Sequence, residues 1–181
     1  MSGNEIVAVV GIAVLGFWML GAHNRLVRLR QAIGSAFAQV DAQLRLRHEL
    51  LAELIAAAMA ELADMPEAVV AVEAARGQAR VAADRAAQRA TSAGRLASLA
   101  LAEQVLRTAL SRLVAVVKTR PALRGDPRLR ELQKKLATTQ TRLEAARQAF
   151  NAATLDYNRS VKQFPTRIAA AMFGFRVAGE L

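Results

Sequence analysis

A seven-residue repeat of bulky side chains runs through the C-terminal half of the chain and constrains the fold more than any other feature. Six residues lie in phase in this repeat: Leu129, Leu136, Leu143, Phe150, Tyr157 and Phe164. The positions three residues further on are mostly small, as at Ala146, Ala153 and Ser160. Such a pattern predicts a long helix with one buried stripe, which needs partner helices to cover it. We therefore expect these six residues to form the core of a helical bundle.

The composition agrees with an all-α fold. Alanine, leucine, valine and arginine dominate the 181 residues, aromatic residues make up only 4%, and there are four prolines. Proline and turn-forming residues divide the chain into predicted helices at 24–63, 66–92, 96–118 and 127–164, followed by a short amphipathic segment at 168–175. Asp126 is the predicted N-cap of the fourth helix and Pro127 its first residue. The predicted buried face of the third helix consists of Leu99, Val105 or Leu106, Leu110, Leu113 and Val117. The prediction is an antiparallel bundle of about four long helices, of which the first and fourth are longest.

An apolar run without a charged residue, at 6–22, precedes the bundle. Its length lies at the lower edge of the range of roughly 17–25 residues that a membrane-spanning helix needs. We expect residues 1–23 to be an N-terminal segment with a transmembrane anchor, and residues 24–181 to be the helical bundle. No glycine or proline separates the anchor from the residues that follow until Gly34, so we expect the anchor helix to continue into the bundle. A cleaved signal peptide is the competing interpretation. Against it, the residues before the run are acidic rather than basic, and the run is longer than the apolar stretch of a signal peptide.

The charges that flank the apolar run predict its orientation. Glu5 lies on one side, and Arg25, Arg28 and Arg30 lie on the other. The positive-inside rule then places a short N-terminus outside and the bundle in the cytoplasm, with a single pass through the bacterial inner membrane. The three arginines are the predicted contact with the bilayer surface, because cations beside an anchor attract anionic headgroups.

No motif of catalysis or cofactor binding occurs in the sequence. The two histidines, His23 and His48, are far apart, there is no cysteine, and HExxH, GxSxG, Walker and GxGxxG patterns are absent. We therefore expect no enzymatic activity, metal, cofactor or small-molecule substrate. The net charge of +10 suits an anionic partner. The charged segments lack the interleaved aromatic residues that stack on bases, which disfavours nucleic acid.

Two further groups of residues are candidates for specific contacts. Asn151 and Asn158 lie one heptad apart beside the core stripe, where they either hydrogen-bond across helices and fix the register or face solvent. Met172, Phe173 and Phe175 place three large apolar side chains within four residues. Because such side chains form an adhesive patch in water, we expect them to pack on their own bundle, on a neighbouring subunit or on the membrane surface.

The segment AARQAFNAATLDYNRSVKQFPTRIAAAMFGF, at 145–175, resembles the C-terminal signature of the LemA family. Residues 24–30, 40–44 and 120–123 are also similar to that family. The chain departs from the family pattern at Phe150, where Tyr is usual, at Gln140, where Glu is usual, and at 47–54, which lacks a common Pro-Asn pair. The resemblance implies a membrane-anchored protein with a short outer N-terminus, a cytoplasmic helical bundle and no established enzymatic activity.

Two hypotheses of function follow from these observations. The main one is a non-enzymatic scaffold that is anchored in the inner membrane and self-assembles into a homo-oligomer that organises or remodels the bilayer. The alternative is a membrane-tethered adaptor that recruits an envelope protease or a stress-signalling protein through the basic bundle. The sequence identifies neither the protein partner nor the symmetry of an assembly.

Overall fold

The computed structural model describes residues 3–59, 63, 66–118, 123 and 126–181. This part of the chain contains no strand, and its helical elements are α1 (Gly3–Ala58), α2 (Pro66–Gln88), α3 (Ala93–Lys118), α4 (Pro127–Lys162) and α5 (Thr166–Met172). The prediction of an all-α fold, with an apolar N-terminal helix that continues into a helical bundle, is confirmed.

The helices end earlier than the sequence pattern predicts. The first ends at Ala58 rather than at 63, and the second ends at Gln88 rather than at 92. The chain turns after α2 through two hydrogen bonds of 3.0 Å, from Arg89 N to Ala86 O and from Ser92 N to Arg89 O. The predicted loop at 120–127 lies mostly outside the described residues.

The start of α4 follows directly from local chemistry. Asp126 is the N-cap, and its Oδ1 accepts hydrogen bonds from the main-chain N–H groups of Arg128 at 2.7 Å and Leu129 at 3.3 Å. Pro127 occupies the first turn, where no intrahelical N–H is needed. The sequence predicted this cap.

The antiparallel pair of α1 and α4 is the main contact of the fold. The ring of Phe37 meets the ring of Phe150 edge to face, with 5.6 Å between centroids. Ten residues further along α1, Arg47 donates a hydrogen bond to Gln140, which lies ten residues earlier in α4. This register places the C-terminal end of α4 beside the residues that follow the apolar run.

Two clusters of buried residues divide the core along the length of α1. The cluster nearer the apolar run contains Leu26, Ile33, Phe37 and Leu44 of α1 and is completed by residues of the other helices. The second cluster surrounds the C-terminal part of α1, at residues 51–58. The same helix face therefore serves as the core of both halves of the bundle.

The hairpin of α2 and α3 covers this core with small side chains. The buried positions of α2 are largely alanines, Ala75, Ala79, Ala83 and Ala86, which let the helix axes approach closely. On α3 the buried face contains Leu99, Leu106 and Leu113, at heptad spacing, whereas the neighbouring Val105 is exposed. The side chain of Val117, also predicted in this face, lies outside the described residues.

The structure places the six stripe residues of α4 in three environments. Leu129, Leu143, Phe150 and Tyr157 are buried, and Leu136 is half-buried against the second cluster. Phe164 is 68% exposed, so the prediction that it belongs to the core is wrong. The reason is local, because α4 ends at Lys162 and Gln163 is extended, which takes Phe164 out of the heptad phase.

Candidate membrane-proximal site

The N-terminal part of α1 is exposed along its length up to the point where the bundle begins. Residues 3–17 are all exposed, Trp18 and Met19 are half-buried, and Ala22 is buried. Among the described residues, α1 is the helix that is long and apolar enough to cross a membrane. The helix leaves the apolar run and enters the bundle without interruption, since both belong to Gly3–Ala58.

The ends of α4 and α5 lie beside the point where the apolar run stops. Continuing the α1–α4 register twelve residues from the Phe37–Phe150 pair places Lys162, the last residue of α4, level with Arg25. Two ring contacts support this position, because His23 lies 4.5 Å from Phe173 and 5.5 Å from Phe175 between ring centroids. The short helix α5 therefore sits at the end of the bundle that adjoins the apolar run.

The arginines that follow the apolar run are all accessible. Arg25, Arg28 and Arg30 are exposed within the two helical turns after His23. At the same end of the bundle, the Arg167 guanidinium lies 5.9 Å from the centre of the Phe164 ring. Cations and exposed aromatic residues thus share this end of the molecule.

The predicted self-association residues are placed differently from one another. Met172 and Phe173 are exposed, whereas Phe175 is half-buried against the first core cluster. Gly174, with a φ of 71°, ends α5 between the two phenylalanines. Its N–H donates to Ala171 O, and Phe175 N–H donates to Ala170 O at 2.9 Å, which is the Schellman pattern of a glycine-terminated helix.

The two asparagines of α4 bind the C-terminal tail, which we define as residues 173–181. Asn158 donates to Ala178 O at 3.0 Å and accepts from Ala178 N at 2.7 Å. Asn151 forms the same pair with Leu181, donating at 2.7 Å and accepting at 2.9 Å. Each amide therefore satisfies both main-chain groups of one tail residue. We name this set of contacts, between Asn151 and Leu181 and between Asn158 and Ala178, the asparagine latch. It corrects the prediction that the two side chains hydrogen-bond to another helix, because their partners belong to the tail.

The tail also joins α4 to the turn between α2 and α3. Tyr157 Oη donates to Arg176 O at 2.9 Å, and burial raises the pKa of this phenol. At the far end, Gly179 N donates to Thr91 O at 3.3 Å. A Cβ at Gly179 would lie 2.5 Å from Ala93 Cα, so only glycine allows this close approach. The latched tail therefore fastens the α2–α3 hairpin to the α1–α4 pair.

A second polar site lies deeper in the bundle, where α1, α3 and α4 meet. Glu103 of α3 is buried and forms hydrogen bonds with Arg47 and with His48 Nε2, the latter at 3.2 Å. Arg47 also donates to Gln140 Oε1 of α4 at 3.5 Å. One buried carboxylate thus ties two adjacent residues of α1 to α3, and Arg47 extends the connection to α4.

The pKa values in this cluster follow from burial and from the surrounding cations. Burial lowers the pKa of His48 to about 4, and nearby arginines, Arg47 first, act in the same direction. Burial also lowers the pKa of Arg47 to about 10, and the charges of Arg147 and Arg107 contribute. At pH 7 His48 is therefore neutral and Arg47 is charged. Because a carboxylate only accepts, His48 donates its Nε2 hydrogen to Glu103.

An open cleft of about 650 Å³ lies beside this cluster. Its charged lining consists of Arg47, Arg107, Arg147, Glu103 and Glu144, which leaves an excess of positive charge. Within the part of the chain that the structure describes, the buried Nε atoms of Arg47 and Arg147 have no hydrogen-bond partner. In that same part, no group of three or more histidine, aspartate or glutamate side chains is placed to hold a metal ion.

A known family matches most of the bundle. Residues 36–180 match the model of the LemA family, a region that contains both asparagines of α4 and all of the tail except Leu181. The chain belongs to the LemA family. A search among curated proteins finds no match.

The LemA match leaves the apolar run and Arg25, Arg28 and Arg30 outside its limits. Inside it lie the two features that sequence reasoning missed, namely the latched tail and the buried pair of His48 and Glu103. The heptad spacing of the asparagines was a signal for the first. His48 gave no such signal, because it stands among charged residues in the sequence.

Removing one half of the latch tests its contribution to the stability of this LemA family member. Asn158→Ala would leave the buried N–H and C=O of Ala178 without partners, so we expect a loss of about 1–3 kcal/mol in the free energy of unfolding. Gln148→Ala, at an exposed position of the same helix, is the matched control and should change it by less than about 0.5 kcal/mol. Chemical unfolding followed by circular dichroism measures both; equal stability of the two variants would refute the latch.

The depressed pKa of His48 predicts a fold that weakens in mild acid. The unfolded chain takes up a proton at His48 as the pH falls through about 6.5, whereas the folded chain does so only near pH 4. Stability from this group is therefore full above pH 6.5 and is lost progressively down to about pH 4. We expect a loss of about 1–2 kcal/mol between pH 7 and pH 5.

The control for this prediction is His48→Gln, which retains a donor toward Glu103 and cannot titrate. The free energy of unfolding of this variant, measured by denaturant titration at both pH values, should fall less than that of the original chain. An identical pH dependence would show that His48 does not carry the effect.

Proposed function

We propose that this LemA family chain is a non-enzymatic scaffold that is anchored in the bacterial inner membrane and self-assembles to organise or remodel the bilayer. The observation that carries the proposal is the continuity of α1. One helix of 56 residues contains both the apolar run and the buried face of the bundle. At 1.5 Å per residue it is about 84 Å long. A bundle built on such a helix is coupled to the anchor without a flexible linker.

The charges around α1 support a cytoplasmic bundle. The helix has an acidic residue, Glu5, in its first turn, and exposed arginines follow the apolar run. This asymmetry favours an outer N-terminus and an inner C-terminus. Alkaline phosphatase fused after Leu181 tests the orientation, because this reporter is active only outside the cytoplasm. Activity of the fusion would show that the C-terminus lies outside and would contradict the proposed orientation.

Self-association is supported by exposed apolar side chains on the α2–α3 hairpin. Leu101 and Val105 lie one turn apart on α3 and are both exposed, and Val70 and Val81 are exposed on α2. These residues are far from the apolar run, since Glu103 between the first two contacts Arg47. A second copy that covered them would remove apolar surface from water.

The size of the purified protein tests the scaffold directly. We expect light scattering after size-exclusion chromatography in detergent to give a mass of several chains, with regular particles in negative stain. Leu101→Glu should shift the mass toward one chain because it places a charge on the α3 face, while Leu155→Glu, at an exposed position of α4, should not. A monomer at every concentration would contradict self-assembly.

The adaptor remains the second candidate, and the cationic cleft is the observation that favours it. Arg47, Arg107 and Arg147 line a cleft about 36 Å along α1 from His23, beyond the reach of the bilayer. Guanidinium groups bind carboxylates with two parallel hydrogen bonds, so an acidic segment of a partner, such as an envelope protease or a stress-signalling protein, suits this cleft. Crosslinking in cells would then recover a stoichiometric heterologous protein instead of a second copy.

A further inference from the structure

The membrane-proximal end of the bundle has an exposed apolar surface that the fold does not use. Four large side chains form it, which we name the apolar end surface: Phe164, Ile168, Met172 and Phe173. We propose that this surface enters the interface of the lipid bilayer, so that α5 lies in the membrane surface as a second attachment beside the anchor. The inference rests on the anchoring part of the proposed function.

The position of α5 gives the first argument. Phe173 packs against His23, and His23 directly follows the apolar run. If the apolar run spans the bilayer, the membrane surface lies close to His23. Phe164 lies between the end of α4 at Lys162 and the start of α5 at Thr166, so it belongs to the same end of the bundle. The apolar end surface therefore lies at the level expected for the headgroups.

The amphipathic character of α5 gives the second argument. Ala169 and Ala170 are buried against the bundle, whereas Ile168 and Met172 are 46% and 66% exposed on the outer side. Phe164 and Phe173, at the two ends of the helix, are 68% and 46% exposed. A helix with one face on protein and large apolar side chains on the other is typical of elements that lie in the plane of an interface.

The distribution of charge gives the third argument and identifies the occupant as an anionic bilayer. Neither residues 6–40 of α1 nor residues 157–179 at the end of α4, α5 and the tail contain an aspartate or glutamate. The same two stretches carry Arg25, Arg28, Arg30, Arg159, Lys162, Arg167 and Arg176. Arg159 pairs with Asp156, which lies just outside these stretches, at 3.9 Å. Cations therefore outnumber carboxylates at this end of the bundle, which is the arrangement that anionic headgroups attract.

A second copy of the chain fits this surface less well. Two such ends brought together would place the cations of one chain against those of the other, with only Asp156 and Glu180 at the edges of the stretches to offset them. Such like-charge contact is unfavourable. The bilayer offers acyl chains to the four apolar side chains and anionic headgroups to the cations beside them.

Site-directed spin labels on single cysteines test the proposal, since the chain has no native cysteine. Labels at Met172→Cys and Ile168→Cys probe the apolar end surface. Val114→Cys is the matched control, because Val114 is 43% exposed and follows Leu113 of the second core cluster, far from the apolar run. Ile12→Cys, 70% exposed in the apolar run, reports on the anchor. The full-length variants are reconstituted in nanodiscs of phosphatidylglycerol and phosphatidylcholine at one chain per disc. Circular dichroism establishes that each one is folded.

The measurement compares collisions of the label with a water-soluble nickel complex and with oxygen, which concentrates in lipid. We expect the nickel collision rate at 172 and 168 to be several-fold lower than at 114, and the oxygen rate to be higher. Nickel rates at 172 and 168 equal to that at 114, with position 12 shielded, would overturn the inference and leave the anchor in place. A label at 172 that is shielded from nickel only when two chains share a disc would also overturn the inference, because a second copy would then cover the surface. A nickel-accessible label at 12 would instead refute the anchor and with it the proposed function.

Discussion

The pairing of α1 with α4 determines how the other elements are arranged. Phe37 against Phe150 sets the register of two long antiparallel helices. That register brings the end of α4 to the end of the apolar run, and so places α5 and the tail beside the residues that follow this run. A bulky residue at every seventh position of α4 is what keeps this pairing in a single alignment, because a shift by one turn would break several buried contacts together.

The remaining elements are attached to this pair at two levels. At the end beside the apolar run, the asparagine latch holds the tail on α4, and Gly179 brings the tail against the start of α3. Further from the apolar run, Glu103 connects α3 to α1 because it accepts hydrogen bonds from the charged Arg47 and the neutral His48. The two attachments lie at different heights of the α2–α3 hairpin, so together they fix its rotation as well as its position. Such satisfied polar contacts favour one arrangement over alternatives that alanine-rich packing alone would tolerate.

The sequence predicted the parts of the fold that are determined locally. The heptad stripe of α4, the cap at Asp126 and the apolar run of α1 each depend on residues close together in the chain. Contacts between distant segments could not be predicted in the same way. Asn158 was identified as a candidate for a polar contact, but its partner Ala178 belongs to a tail without regular structure. Phe164 fits the heptad repeat and still lies outside the core, because the repeat does not indicate that the helix ends at Lys162.

In the proposed function, α1 holds the bundle on the membrane as one uninterrupted helix. The distance between spin labels at Ile12→Cys and Leu46→Cys, measured by double electron–electron resonance in nanodiscs, distinguishes such a helix from one with a hinge. A continuous helix separates these two positions by about 51 Å along its axis and gives a narrow distance distribution. A broad distribution, or a distance much shorter than this, would show that a hinge joins the anchor to the bundle and would refute the rigid connection.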